Sequence, residues 1–302
     1  MAENMLIFFE KNGPSQHVGD FGPASAGLIF AYLLKNQSIM TEKNHAFVDE
    51  VTENGITTIR FFHPKRNALP GKILADLADA ITRAGGNPGR VVVLQSLDEG
   101  LPEGKTGTFC SGASFDELIA IRSEAEGLAF FSGFAKVINA MRKCPKLIIG
   151  RIHGKCVGGG VGLAAAVDLA IAVRGADVKL SELVVGIGPF VVGPAVERKL
   201  GLSAFSTLAI KAGDWQSGEW AFQNGLYAEL HDSVESMDES IGRIARTLAD
   251  SNPEAMRDMK RIFWQEAAGW DDLLMERAAV SGRLVLSDFT RQAIERFKQK
   301  SA

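Results

Sequence analysis

The chain has 302 residues and a formal net charge of −3, with 46% hydrophobic and 23% charged residues. These proportions are those of an ordinary globular protein with a sizeable core, and the length allows one large domain or a domain with a smaller appendage. The mild negative charge argues against a general nucleic-acid binder. The apolar stretch at residues 26–34 is far too short to span a bilayer, so no membrane insertion is expected.

The spacing of the cysteines and histidines indicates the cellular compartment and whether a metal site is expected. The three cysteines, Cys110, Cys144 and Cys156, are odd in number and form no C-x-x-C pair. A reduced protein of the cytoplasm is the simplest interpretation. The histidines also lack the paired spacing of metal ligands, so we expect neither a metal site nor a separate cofactor.

The first 39 residues have no periodicity that continues into the rest of the chain. Met40 opens a segment that resembles a second start. We therefore expect an N-terminal extension over residues 1–39, a core over residues 40–235 and a different C-terminal part over residues 236–302.

The core begins with a predicted β-hairpin. Residues 47–51 and 56–62 read as strands, and Asn54-Gly55 supplies the two positive φ angles of a tight turn. A helix follows from about Pro70 and ends near Gly85-Gly86. The apolar run that comes next, within residues 90–95, is typical of a strand covered on both faces.

Strands and helices then alternate. Ser114 and Glu117 fit a capping box, which predicts a helix start. Further elements are predicted at these positions: a helix over 128–142, a strand over 147–152, a small-residue helix after Gly158-Gly159-Gly160, a strand over 169–173 and a helix near 195–200. This order indicates an α/β fold with parallel strands and crossover helices.

The C-terminal part, residues 236–302, contains only predicted helices. Its large aromatic residues, Phe263, Trp264 and Trp270, give it an apolar face. Packing onto its own core and assembly with other subunits both suit such a face, and the alternatives stay open.

Two glycine-containing turns join a predicted strand to a predicted helix. One is Cys110-Ser111-Gly112-Ala113 and the other is Gly158-Gly159-Gly160. Each turn can present a backbone N–H at a helix start, and two such donors that converge on one oxygen can stabilise an oxyanion.

These motifs resemble those of the crotonase superfamily, the enoyl-CoA hydratase/isomerase group. The resemblance covers about Phe47 to Phe297 and depends on Phe109–Ala113, His153–Gly160 and Ser181-Glu182-Leu183 in that order. It implies a crotonase-like spiral of ββα units with a C-terminal helical trimerisation region, an acyl-CoA thioester substrate and a role in fatty acid metabolism. It also implies a homotrimer or a dimer of trimers.

The resemblance also implies roles for individual residues. The N–H groups of Ala113 and Gly159 would bind the thioester oxygen, and Glu182 would be the acid/base. Hydratases of the family use a second glutamate, and that position is Gly162 here. Phe190 stands where a glycine is common, and Ser114 replaces the usual aspartate.

A single carboxylate leaves two reactions open. Hydration needs a positioned water and a proton for the α-carbon, a division of labour that suits two carboxylates, whereas one glutamate can move a proton between the α and γ carbons. Hydratase and isomerase activity are therefore both retained, with Glu182 as acid/base in either. Acyl chain length and branching stay undetermined.

Substrate contacts follow from the same resemblance. Lys65 and Arg66 stand ahead of Ala68 in a turn that resembles the family's CoA-contacting turn, and CoA phosphates favour a cationic rim. The remaining predicted substrate and CoA contacts come from the two glycine turns and their flanks: Cys110, Ser111, Phe115, Gly158 and Phe190.

Two rival hypotheses belong to other classes. The missing glutamate is compatible with a non-enzymatic crotonase-like scaffold that binds a partner. Residues 160–165 match G-x-G-x-x-A, a motif of dinucleotide-binding oxidoreductases, but the strand over 169–173 ends at Arg174 instead of the acidic residue that binds ribose.

Overall fold

The computed structural model describes residues 45–98 and 107–301, with side chains as far as residue 296. The predicted extension over residues 1–39 lies outside these residues. The described residues form one compact unit, so the helices after residue 235 belong to the same unit as the strands.

A six-stranded sheet forms the centre of this unit. Its strands are β1 (Phe47–Glu53), β2 (Ile56–Phe62), β4 (Val91–Ser96), β7 (Ile148–Ile152), β9 (Leu169–Val173) and β11 (Glu229–His231). They lie side by side in this order, with β1 antiparallel to β2 and every other neighbouring pair parallel. Sequential order with parallel pairing requires a crossover after each strand, as the alternating pattern predicts.

The crossovers contain short strands that form two smaller parallel sheets. One sheet has the order β10-β8-β5 and the other pairs β3 with β6. These strands are β3 (Ala68–Leu69), β5 (Gly107–Cys110), β6 (Gly112–Ala113), β8 (Gly154–Val157) and β10 (Val178–Lys179). Each repeat therefore adds one strand to the large sheet, then a strand to a small sheet, then a helix.

Ten α-helices complete the described residues. They are α1 (Gly71–Gly86), α2 (Phe115–Ala120), α3 (Glu124–Lys143), α4 (Gly159–Ala166), α5 (Gly193–Ile210), α6 (Gly218–Gln223), α7 (Val234–Ala249), α8 (Pro253–Phe263), α9 (Trp270–Leu284) and α10 (Asp288–Ser301). Short 3-10 helices cover Glu182–Val185 and Gln265–Ala267.

Most predicted elements are confirmed within a few residues. The hairpin turns at Asn54 and Gly55, with φ angles of 51° and 77°. The Ser114 hydroxyl caps α2 by accepting from the Glu117 N–H at 3.4 Å. The Glu117 carboxylate, however, accepts from the Gly71 N–H at 2.8 Å, so it joins α2 to α1 rather than completing a capping box.

The C-terminal helices pack onto their own core through α9. A Cβ added to Gly127 in α3 would lie 2.6 Å from the Cα of Gly282 in α9, so only glycine permits this crossing. The close approach brings Ser281, next to Gly282, to the wall of a cavity. Packing onto the same chain is thus observed, while subunit assembly stays a prediction.

Candidate active site

A cavity of about 380 Å³ opens between the small sheets and α3. Its walls are mainly apolar, and five phenylalanines face it: Phe115, Phe130, Phe131, Phe134 and Phe190. Among the described residues that line it, Glu182 is the one with a carboxyl group and Lys179 the one with an ammonium group. The chemistry of the cavity therefore depends on few polar atoms.

The two glycine turns lie side by side at this cavity. Gly112, with φ +93°, has so little space that an added Cβ would lie 3.0 Å from the Val157 carbonyl oxygen and 3.5 Å from the Gly159 nitrogen. Strands β5 and β8 pair at Cys110 and Cys156 and hold the turns in this position. The structure therefore places the two turns next to each other, while the convergence of their N–H donors on one oxygen stays a prediction.

The two N–H groups predicted to bind the thioester oxygen belong to Gly159 and Ala113. Gly159 begins α4, so its N–H has no acceptor within the helix. In the other turn the Ser114 N–H donates to the Leu69 carbonyl at 3.0 Å. Neighbouring N–H groups of an extended chain point in opposite directions, so the Ala113 N–H points away from that partner strand.

Glu182 stands at the first position of a 3-10 helix that faces the glycine turn. An added Cβ on Gly158 would lie 3.1 Å from Glu182 Oε1. The 3-10 helix ends at Gly186, with φ +80°, and the Thr290 hydroxyl of α10 donates to the Gly186 carbonyl at 3.3 Å. The C-terminal helix therefore holds the segment that carries the carboxylate.

The carboxyl group of Glu182 is poorly solvated. The residue as a whole is partly exposed, but its Oε2 atom is buried and accepts no hydrogen bond. Burial raises the pKa of Glu182 from its ordinary value of 4.5 to about 7, against a smaller opposing effect of its own backbone N–H. A carboxyl with such a pKa can both accept and return a proton near neutral pH.

The position that corresponds to the second family glutamate is sterically closed. Gly162 is buried in α4, and a Cβ there would lie 2.5 Å from Val192 Cγ1. Val192 itself lines the cavity. An apolar side chain therefore occupies the wall where a second carboxylate would project.

Aromatic residues of α3 are the part of the site that the sequence analysis missed. The Phe134 ring lies against Gly159, where an added Cβ would be 2.2 Å from its Cζ atom. Phe130 and Phe131 precede it on the same helix and also line the cavity. Three phenylalanines within one and a half helical turns were a usable signal, because residues three or four apart share a helix face.

The structure brings together eight of the eleven residues predicted for the site. These eight line the cavity: Ala68, Ser111, Ala113, Phe115, Gly158, Gly159, Glu182 and Phe190. Cys110 does not line it, because its side chain is completely buried beneath the turn. Burial raises the pKa of the Cys110 thiol to about 12, so it is a neutral core residue.

Lys65 and Arg66 also lie outside the cavity lining. Both are exposed, and Lys65 forms an ion pair with Asp116, the residue that follows Phe115. The Ser111 hydroxyl donates to the Lys65 carbonyl at 3.5 Å. The basic pair thus borders the cavity without entering it, and its contact with CoA stays a prediction.

Three other features of the described residues bear on the sequence-based expectations. Over residues 45–98 and 107–301, no group of three or more histidine, cysteine or acidic side chains could hold a metal ion. No helix in the same residues is long and apolar enough to cross a membrane. All three cysteines are buried and free of disulfide bonds.

Comparison with known proteins identifies the class to which this fold and cavity belong. The family model described as enoyl-CoA hydratase/isomerase matches residues 51–298. The chain therefore belongs to the enoyl-CoA hydratase/isomerase family. The predicted crotonase-like spiral with C-terminal helices is confirmed, and the dinucleotide-binding alternative receives no support.

Individual relatives are distant. The chain is 24% identical over 248 residues to a protein of Bacillus subtilis named "Probable enoyl-CoA hydratase", covering 81% of this chain and 93% of the relative. It is 26% identical over 217 residues to the (7aS)-7a-methyl-1,5-dioxo-2,3,5,6,7,7a-hexahydro-1H-indene-carboxyl-CoA hydrolase of Mycobacterium tuberculosis, covering 70% and 81%.

A solved structure shows the same fold. The enoyl-CoA hydratase from Bacillus halodurans matches with a TM-score of 0.74 at 19% identity, covering 83% of this chain and 99% of that one. Because relatives of this family carry out different reactions, as the hydratase and the hydrolase above illustrate, membership leaves the reaction to be argued from the site.

Proposed function

We propose that this protein is an enoyl-CoA isomerase that moves a double bond from the 3 to the 2 position of an acyl-CoA thioester. The N–H groups of Ala113 and Gly159 bind the thioester oxygen. The Glu182 carboxylate removes a proton from the α-carbon, and the electron pair of that C–H bond forms a dienolate. The protonated Glu182 then returns the proton to the γ-carbon, and the conjugated 2-enoyl thioester forms.

One observation carries this proposal: among the described residues that line the cavity, Glu182 alone has a carboxyl group, and that group is suited to proton transfer. Glu182 Oε2 is buried without a hydrogen-bond partner, and the pKa near 7 matches a group that must accept and release a proton in one cycle. No further acid or base is required, because the proton that leaves the α-carbon is the one that arrives at the γ-carbon.

Hydration is less well supported by the same cavity. It requires a water molecule held for attack on the β-carbon and a second group to share the proton transfers. Val192 and Phe190 supply apolar surface to the cavity wall where such groups would be needed. An apolar site also keeps the dienolate from premature quenching by solvent.

The N–H groups of Ala113 and Gly159 stabilise the oxyanion more strongly when water is excluded from them. The Phe134 ring lies against Gly159 and is nearly fully buried, so it shields one side of the glycine turn. Preorganised donors in such a site are worth about 3 kcal/mol each in related oxyanion chemistry. We therefore propose that the Phe134 ring excludes water from the turn.

The test uses two short substrates of equal length. Full-length protein is incubated with 3-hexenoyl-CoA, and the rise of conjugated thioester absorbance is followed. A second reaction with 2-hexenoyl-CoA follows the loss of that absorbance on hydration. We expect isomerisation to dominate, and faster hydration than isomerisation would overturn the assignment.

Variants then test the role of the carboxylate. Glu182→Gln preserves shape and should lower isomerisation about 10²–10⁴-fold, as expected for loss of an essential general base. The control Glu239→Gln removes an exposed carboxylate of α7 and should leave the rate unchanged. If Glu182→Gln is nearly harmless, the mechanism is wrong. If the wild-type protein turns over neither substrate, the scaffold hypothesis is favoured.

A further inference from the structure

The wall of the cavity near Glu182 is built of two apolar layers. Phe131 and Ile187 belong to the front layer, which faces the cavity. Behind them lie Ile121 and Val285, which are buried and join Ile187 in a separate hydrophobic cluster. Ile187 follows Glu182 by five residues in the chain. The cavity is therefore closed on this side by packed side chains from several elements.

The front layer is rich in aromatic rings. Phe130 and Phe131 meet edge to face, with centroids 5.0 Å apart and an interplanar angle of 90°. Phe134 lies one turn further along α3 and faces the same cavity. An aromatic guest can continue this edge-to-face arrangement, and each such pair stabilises binding beyond the effect of the area it buries.

Apart from Glu182, two polar side chains of the wall, Lys179 and Ser281, have partners within the protein. Lys179 donates its Nζ proton to the Gly213 carbonyl at 2.6 Å, and the Ser281 hydroxyl donates to the Arg277 carbonyl at 3.2 Å. A hydroxyl or charged group on the acyl chain would thus find few free partners and would lose its hydration. The acyl group that fits is apolar.

The volume limits the length of that group. The cavity measures about 380 Å³, near the lower end of the roughly 300–1,000 Å³ range of small-molecule sites, and it must also receive the thioester. A ring is shorter than a straight chain with the same number of carbons. The closed wall therefore admits a ring more readily than an extended chain.

We propose that the acyl group is a compact aryl group, held edge to face by Phe130 and Phe131 in front of the closed wall. This inference rests on the proposed function only in taking the ligand to be a CoA thioester. It concerns binding and not the reaction, so the two can fail separately.

The test compares two unreactive thioesters with nine acyl carbons each. Binding of 3-phenylpropanoyl-CoA and nonanoyl-CoA to the full chain is measured by calorimetry, with free CoA as the baseline. We expect the aryl thioester to bind about tenfold more tightly, as one or two aromatic pairs provide. Equal binding, or tighter binding of nonanoyl-CoA, overturns the proposal.

Matched variants locate the effect. Phe131→Leu should weaken 3-phenylpropanoyl-CoA binding about threefold to tenfold and leave nonanoyl-CoA binding nearly unchanged, since one edge-to-face contact is lost. Val285→Ala removes volume behind the wall and should strengthen nonanoyl-CoA binding. The control Phe222→Leu changes an exposed phenylalanine of α6 and should alter neither. If Phe131→Leu keeps its fold but loses binding of both thioesters, the edge-to-face role assigned to Phe131 is wrong.

The outcome is distinguishable from that of the isomerase test. A protein that prefers the aryl thioester but does not isomerise enoyl thioesters keeps this inference and loses the proposed function. A protein that isomerises 3-hexenoyl-CoA but binds nonanoyl-CoA more tightly keeps the function and loses the inference.

Discussion

Two buried carboxylates, Glu182 and Asp168, occupy opposite situations in this protein. Asp168 follows α4 and accepts three hydrogen bonds: from the Ile148 N–H at 2.7 Å, from Lys260 Nζ at 2.6 Å and from Trp264 Nε1 at 2.9 Å. Glu182 is also buried at its Oε2 atom but accepts no bond there. Asp168 lies on the short loop before β9, and Glu182 lies on a 3-10 helix.

The difference separates a structural carboxylate from a reactive one. The three donors to the Asp168 carboxylate join β7, the C-terminal end of α8 and the start of β9. Glu182 has an apolar cavity in front of it, so its proton affinity is high and its free atom can reach a ligand. Burial alone marks neither role, and the hydrogen-bond partners decide between them.

The largest expected effect comes from removing Asp168, the carboxylate whose hydrogen bonds are satisfied. Asp168→Ala leaves the ammonium group of Lys260 buried without its partner, so unfolding free energy should fall by about 3–5 kcal/mol. Urea denaturation monitored by tryptophan fluorescence measures the loss. The control Asp79→Ala removes an exposed carboxylate of α1 and should change stability by less than about 0.5 kcal/mol.

A companion variant tests whether the charge is the cause. Replacing both partners, in Asp168→Leu with Lys260→Met, removes the unpaired charge and should recover much of the stability. If the single Asp168→Ala change is as mild as Asp79→Ala, the contrast between the two carboxylates does not hold.

The next effect is the pH dependence of stability that Glu182 introduces. Its pKa is about 7 in the folded protein against 4.5 ordinarily, so the folded state favours the protonated form. Below about pH 4.5 both states are protonated and the full stability is present. Between pH 4.5 and 7 the unfolded state loses its proton first, and a contribution on the order of 3 kcal/mol is lost as the pH rises.

Urea denaturation at pH 5, 6 and 8 measures this loss. In Glu182→Gln the unfolding free energy should fall less as the pH rises, by an amount on the order of 3 kcal/mol. Glu239→Gln should follow the wild type. Superimposable pH profiles for wild type and Glu182→Gln would show that the carboxyl is solvated in solution.

The smallest expected effect concerns the segment that carries Glu182. Thr290→Val removes the hydroxyl that donates to the Gly186 carbonyl while keeping the side-chain volume. Loss of one such bond costs about 1 kcal/mol, and we expect a severalfold lower kcat with little change in KM. A shift in the pH midpoint of activity would show that the carboxylate has moved.

Thr247→Val is the matched control, because that hydroxyl bonds within its own helix α7 at an exposed site. It should leave kcat, KM and the pH midpoint as in the wild type. If Thr290→Val lowers only the unfolding free energy and not kcat, Thr290 supports the fold and does not position Glu182.

Much of this architecture could be predicted from the sequence, because it depends on local signals. The Asn54-Gly55 turn, the Ser114 cap and the apolar run of β9 each report their own conformation. The order of elements then implies parallel strands, and the family motifs place Gly159 and Glu182 in the site.

The parts that could not be predicted depend on distant contacts. No local signal shows that Cys110 points into the core, that Val192 fills the space beside Gly162, or that the C-terminal Ser281 reaches the cavity. Strand β8 was not predicted: the expected strand over 147–152 ends before it, and residues 154–157 were assigned only to the glycine-containing turn. The small sheets as a whole were missed because their strands have only two to four residues, too few to show an alternating or continuous apolar pattern.

The contact between Gly162 and Val192 has a consequence for how catalysts of this family can diverge. A glutamate introduced at 162 by one substitution would drive its Cβ to 2.5 Å from Val192 Cγ1 and would disrupt the helix packing before any new chemistry could be selected. The change requires either glycine in place of Val192 or a shift of that segment, because alanine would keep the Cβ atom that lies 2.7 Å from the added one. The two positions are therefore epistatic. An evolutionary or engineered route from one-carboxylate to two-carboxylate chemistry must first remove the contact with Val192.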